Sequence, residues 1–76
     1  LEIIDERETM AIVKEDLRDS DPMVRINAIE IMEDYTGEKW IDILEERLTN
    51  DEDIRVREKA ADVLKKMTGM EYYVAP

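Results

Sequence analysis

Apolar residues recur at intervals of three and four along the chain, and this spacing predicts four α-helices. The predicted helices cover residues 3–18, 22–35, 38–48 and 54–67. Clusters of Asp, Ser, Thr, Asn and Gly separate them, as expected of turns and helix caps. The third helix has two apolar rows, so we expect it to contact neighbours on two sides. The pattern therefore predicts an all-α domain.

The second helix shows how the pattern assigns an inner and an outer side. Its predicted buried stripe consists of Val24, Ala28, Ile31, Met32 and Tyr35. Met23 and Ile26 fall opposite this stripe and are expected to face outward, while Ile29 falls on its flank. On the third helix, Trp40 and Ile43 are expected to pack against the first half of the chain. The fourth helix is predicted to bury Val56, Ala60, Val63, Leu64 and Met67.

The second half of the chain repeats the first with an offset of 32 residues. Thus Asp19, Asp21, Val24, Arg25 and Ala28 correspond to Asp51, Asp53, Val56, Arg57 and Ala60. The helices that precede these stretches align with an offset of 31, because the second turn is one residue longer. Such a period indicates two copies of one helix pair, about 3–37 and 38–69 within residues 1–69. Residues 70–76 lie outside the repeat, and we expect them to be disordered, to fold back over the last pair, or to join two copies through Tyr72 and Tyr73.

The paired Asp-x-Asp-x-x-Val-Arg-x-x-Ala stretches resemble HEAT-like repeats, in particular the short repeats of phycobilisome lyases and many archaeal proteins. The resemblance implies two stacked antiparallel helix pairs in a right-handed superhelix, with the second helix of each pair on the concave face. A plain four-helix bundle is the alternative, because two units and a bundle share one apolar pattern. The resemblance also implies that Asp19, Arg25, Asp51 and Arg57 are structural, with each arginine paired to Asp19, Asp51 or a nearby acid.

Two units are fewer than the roughly three that stacked repeats usually need. We therefore expect the ends to be covered by further repeats, by a partner, by a second copy in a homodimer, or by the C-terminal tail. The chain begins with Leu1 rather than Met, as expected of an excerpt or a processed piece.

The chain is strongly acidic, with 21 acidic and 11 basic side chains and a formal net charge of −10. This charge repels nucleic acid and anionic membranes and favours a basic protein partner. The sequence has no apolar run of membrane-spanning length and no signal-peptide pattern, so we expect a cytoplasmic location. The high charged fraction without cysteine is also found in thermophile proteins.

The sequence contains neither histidine nor cysteine, which removes the commonest general base, metal ligand and nucleophile. An EF-hand site at Asp19 or Asp51 fails, because its fifth position would be Met23 or Arg55. Neither a glycine-rich phosphate loop nor a nucleophile elbow occurs. We therefore expect no enzyme activity, no metal and no cofactor.

These observations favour a non-enzymatic protein-interaction or scaffold module that binds its partner through the second and fourth helices. The candidate partner-binding residues are Met23, Ile26, Ile29, Glu30, Glu33, Glu58 and Asp62. The alternative is an accessory or chaperone-like subunit of an enzyme system, either lyase-like or an assembly factor. A regulator that mimics the charge of nucleic acid is a third hypothesis.

Overall fold

A computed structural model describes residues 5–76 and contains four α-helices. The helices are α1 (Glu6–Asp16), α2 (Pro22–Ile31), α3 (Glu38–Asn50) and α4 (Ile54–Thr68). No strand occurs in this described part of the chain. The predicted all-α class is therefore confirmed, while the predicted contribution of Ile3 to the first helix lies outside the described residues.

Aspartate side chains start three of the four helices. Asp5, Asp21 and Asp53 each accept a hydrogen bond from the backbone N–H two residues later. Each cap satisfies a donor that the first turn of a helix leaves free, and is typically worth about 1 kcal/mol. Pro22 follows Asp21 at the first helical position, where its missing N–H costs nothing. The capping predicted for the repeated turn is thus present in both copies.

The second helix ends earlier than predicted. After Ile31 the backbone tightens into a 3₁₀ turn, Met32–Asp34, and Tyr35 is extended. The Tyr35 ring stacks on the indole of Trp40, with ring centroids 4.7 Å apart. Tyr35 is thus held by this contact and not by a further turn of helix. Trp40 is completely buried and meets the first half of the chain, as predicted.

The helices pack as two pairs that meet through their second members. Helix α1 contacts α2, α3 contacts α4, and the pairs join mainly through α2 and α4. The completely buried large side chains are Val13, Ile29, Met32, Trp40, Leu44, Val56, Val63 and Leu64. These residues come from all four helices, so one core connects both pairs.

The buried side of α2 is rotated from the predicted stripe. Ile29 is 0% exposed and Ile26 is partly buried against the core, whereas Ile31 is 39% exposed. The predictions that Ile26 faces outward and that Ile31 faces the core are therefore wrong. The physical reason is that α4 packs over the side of α2 that carries Ile26 and Ile29. On α4 the predicted stripe is correct, because Val56 and Val63 are both completely buried.

Candidate interaction site

Arg25 joins the two helix pairs through a buried ion pair. Its Nε and Nη2 donate to the carboxylate of Asp51 at 3.0 and 3.1 Å, and its Nη1 donates to the carbonyl of Asp19 at 2.7 Å. Arg25 is 5% exposed and Asp51 is 4% exposed. The two parallel bonds match the planar guanidinium to the planar carboxylate, which makes the contact strong and specific in direction.

Asp51 is the hub of this contact. Besides binding Arg25, its carboxylate accepts a hydrogen bond from Nη1 of Arg47 at 3.1 Å and from the backbone N–H of Asp53 at 3.0 Å. Arg47 also donates to Glu46, and this bond is the main reason that the pKa of Arg47 is raised and the pKa of Glu46 is lowered. A buried charge needs such multiple partners to offset the loss of hydration.

Arg57 is the counterpart of Arg25 and keeps only part of this arrangement. Its Nη1 donates to the carbonyl of Asp51 at 2.7 Å, just as Arg25 binds the carbonyl of Asp19. Its Nη2 donates to the carbonyl of Ala75 at 3.3 Å. The Nε of Arg57 is buried and has no hydrogen-bond partner among residues 5–76. Pairing with an acid, predicted for both arginines, is therefore seen for Arg25 alone in this part of the chain.

The C-terminal segment 70–76 folds back along α4. Nζ of Lys65 lies 2.6 Å from a carboxylate oxygen of Glu71, and this hydrogen bond is the main reason that the pKa of Lys65 is raised. Tyr72 packs against the core, whereas Tyr73 is 80% exposed. Of the arrangements expected for this segment, folding back over the last helix pair is the one that the structure adopts.

Ion pairs between α2 and α4 line the outer side of the contact. Nζ of Lys59 lies 3.7 Å from Glu30 and 3.5 Å from Glu33. Nζ of Lys66 lies 3.3 Å from Glu33 and 3.4 Å from Asp62, and its pKa is raised, first by the bond to Glu33. Exposed pairs of this kind contribute at most about 1 kcal/mol each. Three of the predicted partner-binding acids thus lie close together around two lysines.

The remaining predicted partner-binding residues differ in how far they are exposed to solvent. Met23 is 50% exposed and Glu58 is exposed, so both present side chains to solvent. Ile29 lies in the core and presents no surface to a partner. Ile12, at 50% exposure, is an exposed apolar residue that the sequence did not single out. Its exposure follows from the position of α1 at one end of the molecule, which the helical pattern alone does not reveal.

The described residues include an open groove, and the structure also bears on metal binding and membrane crossing. Between residues 5 and 76, no group of three or more metal-binding side chains is placed to hold an ion. None of the helices in this range has both the length and the apolar character needed to cross a membrane. An open groove of about 400 Å³ lies between α1 and α3, and its Arg47 is already paired with Glu46.

Two similar helix pairs that share one core define an α-helical repeat protein. The family model for HEAT repeats matches residues 1–65. The chain therefore belongs to the HEAT repeat family. No curated protein and no solved structure shows significant similarity to it. Its relation to the short repeats of phycobilisome lyases and archaeal proteins stays a prediction.

Proposed function

We propose that the chain is a non-enzymatic protein-interaction or scaffold module that binds its partner through the outer side of α2 and α4. The main support is its membership of the HEAT repeat family, whose members generally mediate protein contacts. We define the α2–α4 ridge as Met23, Glu30, Glu33, Lys59, Asp62 and Lys66. The buried core that α2 and α4 share keeps the two helices in a fixed relation, which suits a preformed binding surface.

The charge of the ridge favours a partner with basic groups. Three acids stand against two lysines there, on a chain whose formal net charge is −10. Met23 adds an exposed, flexible apolar side chain, a type of residue that adapts to varied partner surfaces. Acidic surface charge steers basic partners and raises the rate of association, whereas Met23 provides apolar area for the contact itself. We place this interaction in the cytoplasm, as the sequence predicts.

Cross-linked capture from an extract of the source cells tests this proposal. The ridge variant Met23→Ser/Asp62→Lys is compared with Glu45→Lys, which makes the same change of charge at an exposed position of α3. We expect wild type and Glu45→Lys to capture the same protein and the ridge variant to lose it. Equal capture by the ridge variant, with unchanged helix content, would exclude this surface.

The captured protein also separates the scaffold from the accessory-subunit hypothesis. An enzyme whose turnover depends on the bound chain would identify an accessory subunit. A captured protein whose own activity is unaffected would identify a scaffold. Either outcome retains a non-enzymatic role for this chain, since its own residues supply the contact and not the reaction.

A further inference from the structure

The contact between the two helix pairs is a template for what the two ends of the molecule can bind. Each residue of α4 has a counterpart 32 positions earlier, in α2 or in the turn that follows it, and each residue of α3 has one 31 positions earlier, in α1 or in the turn that follows it. The side of α2 that meets α4 therefore corresponds to the side of α4 that the C-terminal segment covers. The side of α4 that meets α2 corresponds to a side of α2 at the opposite end.

The exposed side of α2 at the end opposite the C-terminal segment, together with Ile12 of α1, is termed the N-terminal end face. It consists of Ile12, Val24 and Ile31. Ile12 and Ile31 are exposed, and Val24 is only partly buried. Their counterparts in the second pair are Ile43, Val56 and Val63, of which Ile43 is partly buried and the two valines are completely buried. The same positions are thus covered in the second pair, where another pair precedes them, and open in the first.

The other end, the C-terminal end face, is occupied by residues 70–76 in a way that imitates a following pair. The carbonyl of Ala75 meets Arg57 where the carboxylate of Asp51 meets Arg25. Glu71 forms an ion pair with Lys65. Lys65 is the counterpart of Glu33, and Glu33 forms an ion pair with Lys66 of the second helix pair. The imitation is incomplete, because the buried Nε of Arg57 stays without a hydrogen-bond partner in residues 5–76. A buried unpaired donor costs free energy that a suitable acceptor would recover.

The two end faces complement each other in charge and in apolar surface. Asp19 is the counterpart of Asp51, and its exposed carboxylate accepts a bond from the backbone N–H of Asp21 at 2.9 Å. If the internal contact is repeated between two molecules, Asp19 of the second copy comes to Arg57, as Asp51 comes to Arg25. The same placement brings Asp34 of the second copy to Lys65, which restores the Glu33–Lys66 pair with its charges exchanged.

We propose that a second copy of this chain binds head to tail at the C-terminal end face, with its Asp19 carboxylate on Nε of Arg57. Residues 70–76 then act as a displaceable cap that competes for the same face. This proposal goes beyond the binding of a separate partner, because it uses the two ends of the molecule. Of the ridge residues, Asp62 falls within the proposed contact, since its counterpart Glu30 pairs with Lys59 in the internal one. A head-to-tail dimer leaves one end face of each molecule free, so the assembly grows beyond a dimer into a ring or an open chain.

Glu58 offers the sharpest test, since its counterpart in the internal contact is the partly buried Ile26. The full-length Glu58→Ile variant removes a carboxylate and restores an apolar contact, so we expect self-association to strengthen about tenfold or more. The control Glu45→Ile places the same residue on the exposed side of α3. Sedimentation equilibrium between about 10 μM and 1 mM measures the apparent dissociation constant of each variant.

Two further changes show which faces are in contact. Adding Ile31→Glu to Glu58→Ile should return the protein to a monomer by blocking the N-terminal end face. Adding Arg57→Gln to Glu58→Ile should do the same by blocking the C-terminal end face. Mixing the two double variants should give a one-to-one dimer that grows no further, because each molecule keeps one working face. Circular dichroism checks that each variant is folded, and Ile31, already exposed, tolerates the change in the monomer.

The proposal is overturned if Glu58→Ile associates no more strongly than Glu45→Ile. It is equally overturned if the mass of Glu58→Ile stops at twice the monomer, or if Ile31→Glu leaves its association unchanged. Capture of a separate partner is therefore repeated with the single variant Met23→Ser, which changes no residue of either end face. The failure of one proposal is therefore distinguishable from the failure of the other.

Discussion

Asp53 shows how one side chain couples a helix start to the solvent pH. Its carboxylate accepts bonds from the backbone N–H of Arg55 at 2.8 Å and from the Arg55 guanidinium at 3.1 and 2.8 Å. The guanidinium bonds, followed by the backbone bond, lower the pKa of Asp53 from 3.8 to about 2. The charged carboxylate therefore stabilises the folded state above pH 3.8, and this stabilisation is lost as the pH falls through about 2.

The Asp53→Asn variant isolates this charge, because asparagine is also a good N-cap. We expect the variant to be less stable than wild type by a constant amount above pH 5. The difference in free energy of unfolding should shrink as the pH falls from about 4 towards 2, since Asp53 then takes up a proton. Urea unfolding at several pH values measures this difference. A difference independent of pH would mean that the carboxylate charge contributes nothing to stability.

Single residues also show which contacts and which burial the sequence predicts and which it does not. The repeated stretch itself predicts helix capping at both turns. The resemblance implies only that Arg25 pairs with Asp19, Asp51 or a nearby acid, and the structure shows that the partner is Asp51. The burial of Ile29 and the exposure of Ile31 were not predicted. Their counterparts Ala61 and Val63 belong to a helix with different neighbours, and an apolar pattern gives each helix a stripe without stating which neighbour covers it.

At the scale of the element, two glycines mark helix ends, one before α3 and one after α4. Gly37 precedes α3 with φ 122° and ψ 161°, a backbone conformation that only glycine adopts without strain. Gly69 ends α4 with φ 76° and ψ 4°, the left-handed conformation that asparagine also tolerates. An added Cβ would meet no atom within 4 Å at either site. Any cost of substitution there is therefore conformational and not steric.

These conformations predict different tolerance at the two glycines. Gly69→Ala should cost about 1 kcal/mol in the free energy of unfolding, and Gly69→Asn should cost less. Gly37→Ala and Gly37→Asn should both cost about 1–3 kcal/mol, because neither residue suits that conformation. Urea unfolding of the four variants measures the costs. Equal costs for Asn at the two sites would show that φ does not control stability there.

The extent of the helices was only partly predictable from local signals. The starts of α2, α3 and α4 match the prediction, and capping aspartates fix those of α2 and α4, whereas α3 begins after Gly37 without a side-chain cap. Beyond the early end of α2, Tyr35 stacks on Trp40 and its hydroxyl donates a hydrogen bond to Thr9, and both contacts join residues of different elements. A pattern that continues helically through Tyr35 carries no record of such a contact, so the prediction extended α2 too far.

At the scale of the whole molecule, the C-terminal segment closes an end that would otherwise expose apolar surface. Tyr72 and Tyr73 are a matched pair for testing this role, since the first packs on the core and the second is 80% exposed. We expect Tyr72→Ala to lower the free energy of unfolding by about 1–2 kcal/mol and Tyr73→Ala by less than about 0.5 kcal/mol. Thermal unfolding should therefore show a clear decrease in Tm for Tyr72→Ala alone. Equal decreases would indicate that the segment does not close the core.

The sequence does not predict how the two helix pairs are arranged relative to each other and to the C-terminal segment. The repeat predicts that two similar units exist, and the resemblance of the turn predicts that polar residues link them. Whether residues 70–76 fold back depends on contacts that no repeat encodes. Glu71 and Ala75 partly imitate a following unit, and this imitation depends on the positions of Arg25 and Arg57 in space, which the sequence does not give.

The ion pair between Arg25 and Asp51 links the two helix pairs. Asp19, the counterpart of Asp51 in the first pair, provides a matched control. Asp51 holds buried Arg25, whereas its counterpart Asp19 is exposed and, among residues 5–76, its side chain accepts a hydrogen bond from the backbone N–H of Asp21 alone. Removing Asp51 leaves Arg25 buried and unpaired, which typically costs about 3–5 kcal/mol. Removing the carboxylate of Asp19 breaks one exposed hydrogen bond, worth about 1 kcal/mol.

The most direct measurement is the free energy of unfolding of Asp51→Ala and Asp19→Ala in parallel urea titrations. The buried link predicts that Asp51→Ala loses about 3–5 kcal/mol and Asp19→Ala about 1 kcal/mol. Similar small losses for both variants would contradict it, because the two helix pairs would then be held together without the Arg25–Asp51 contact.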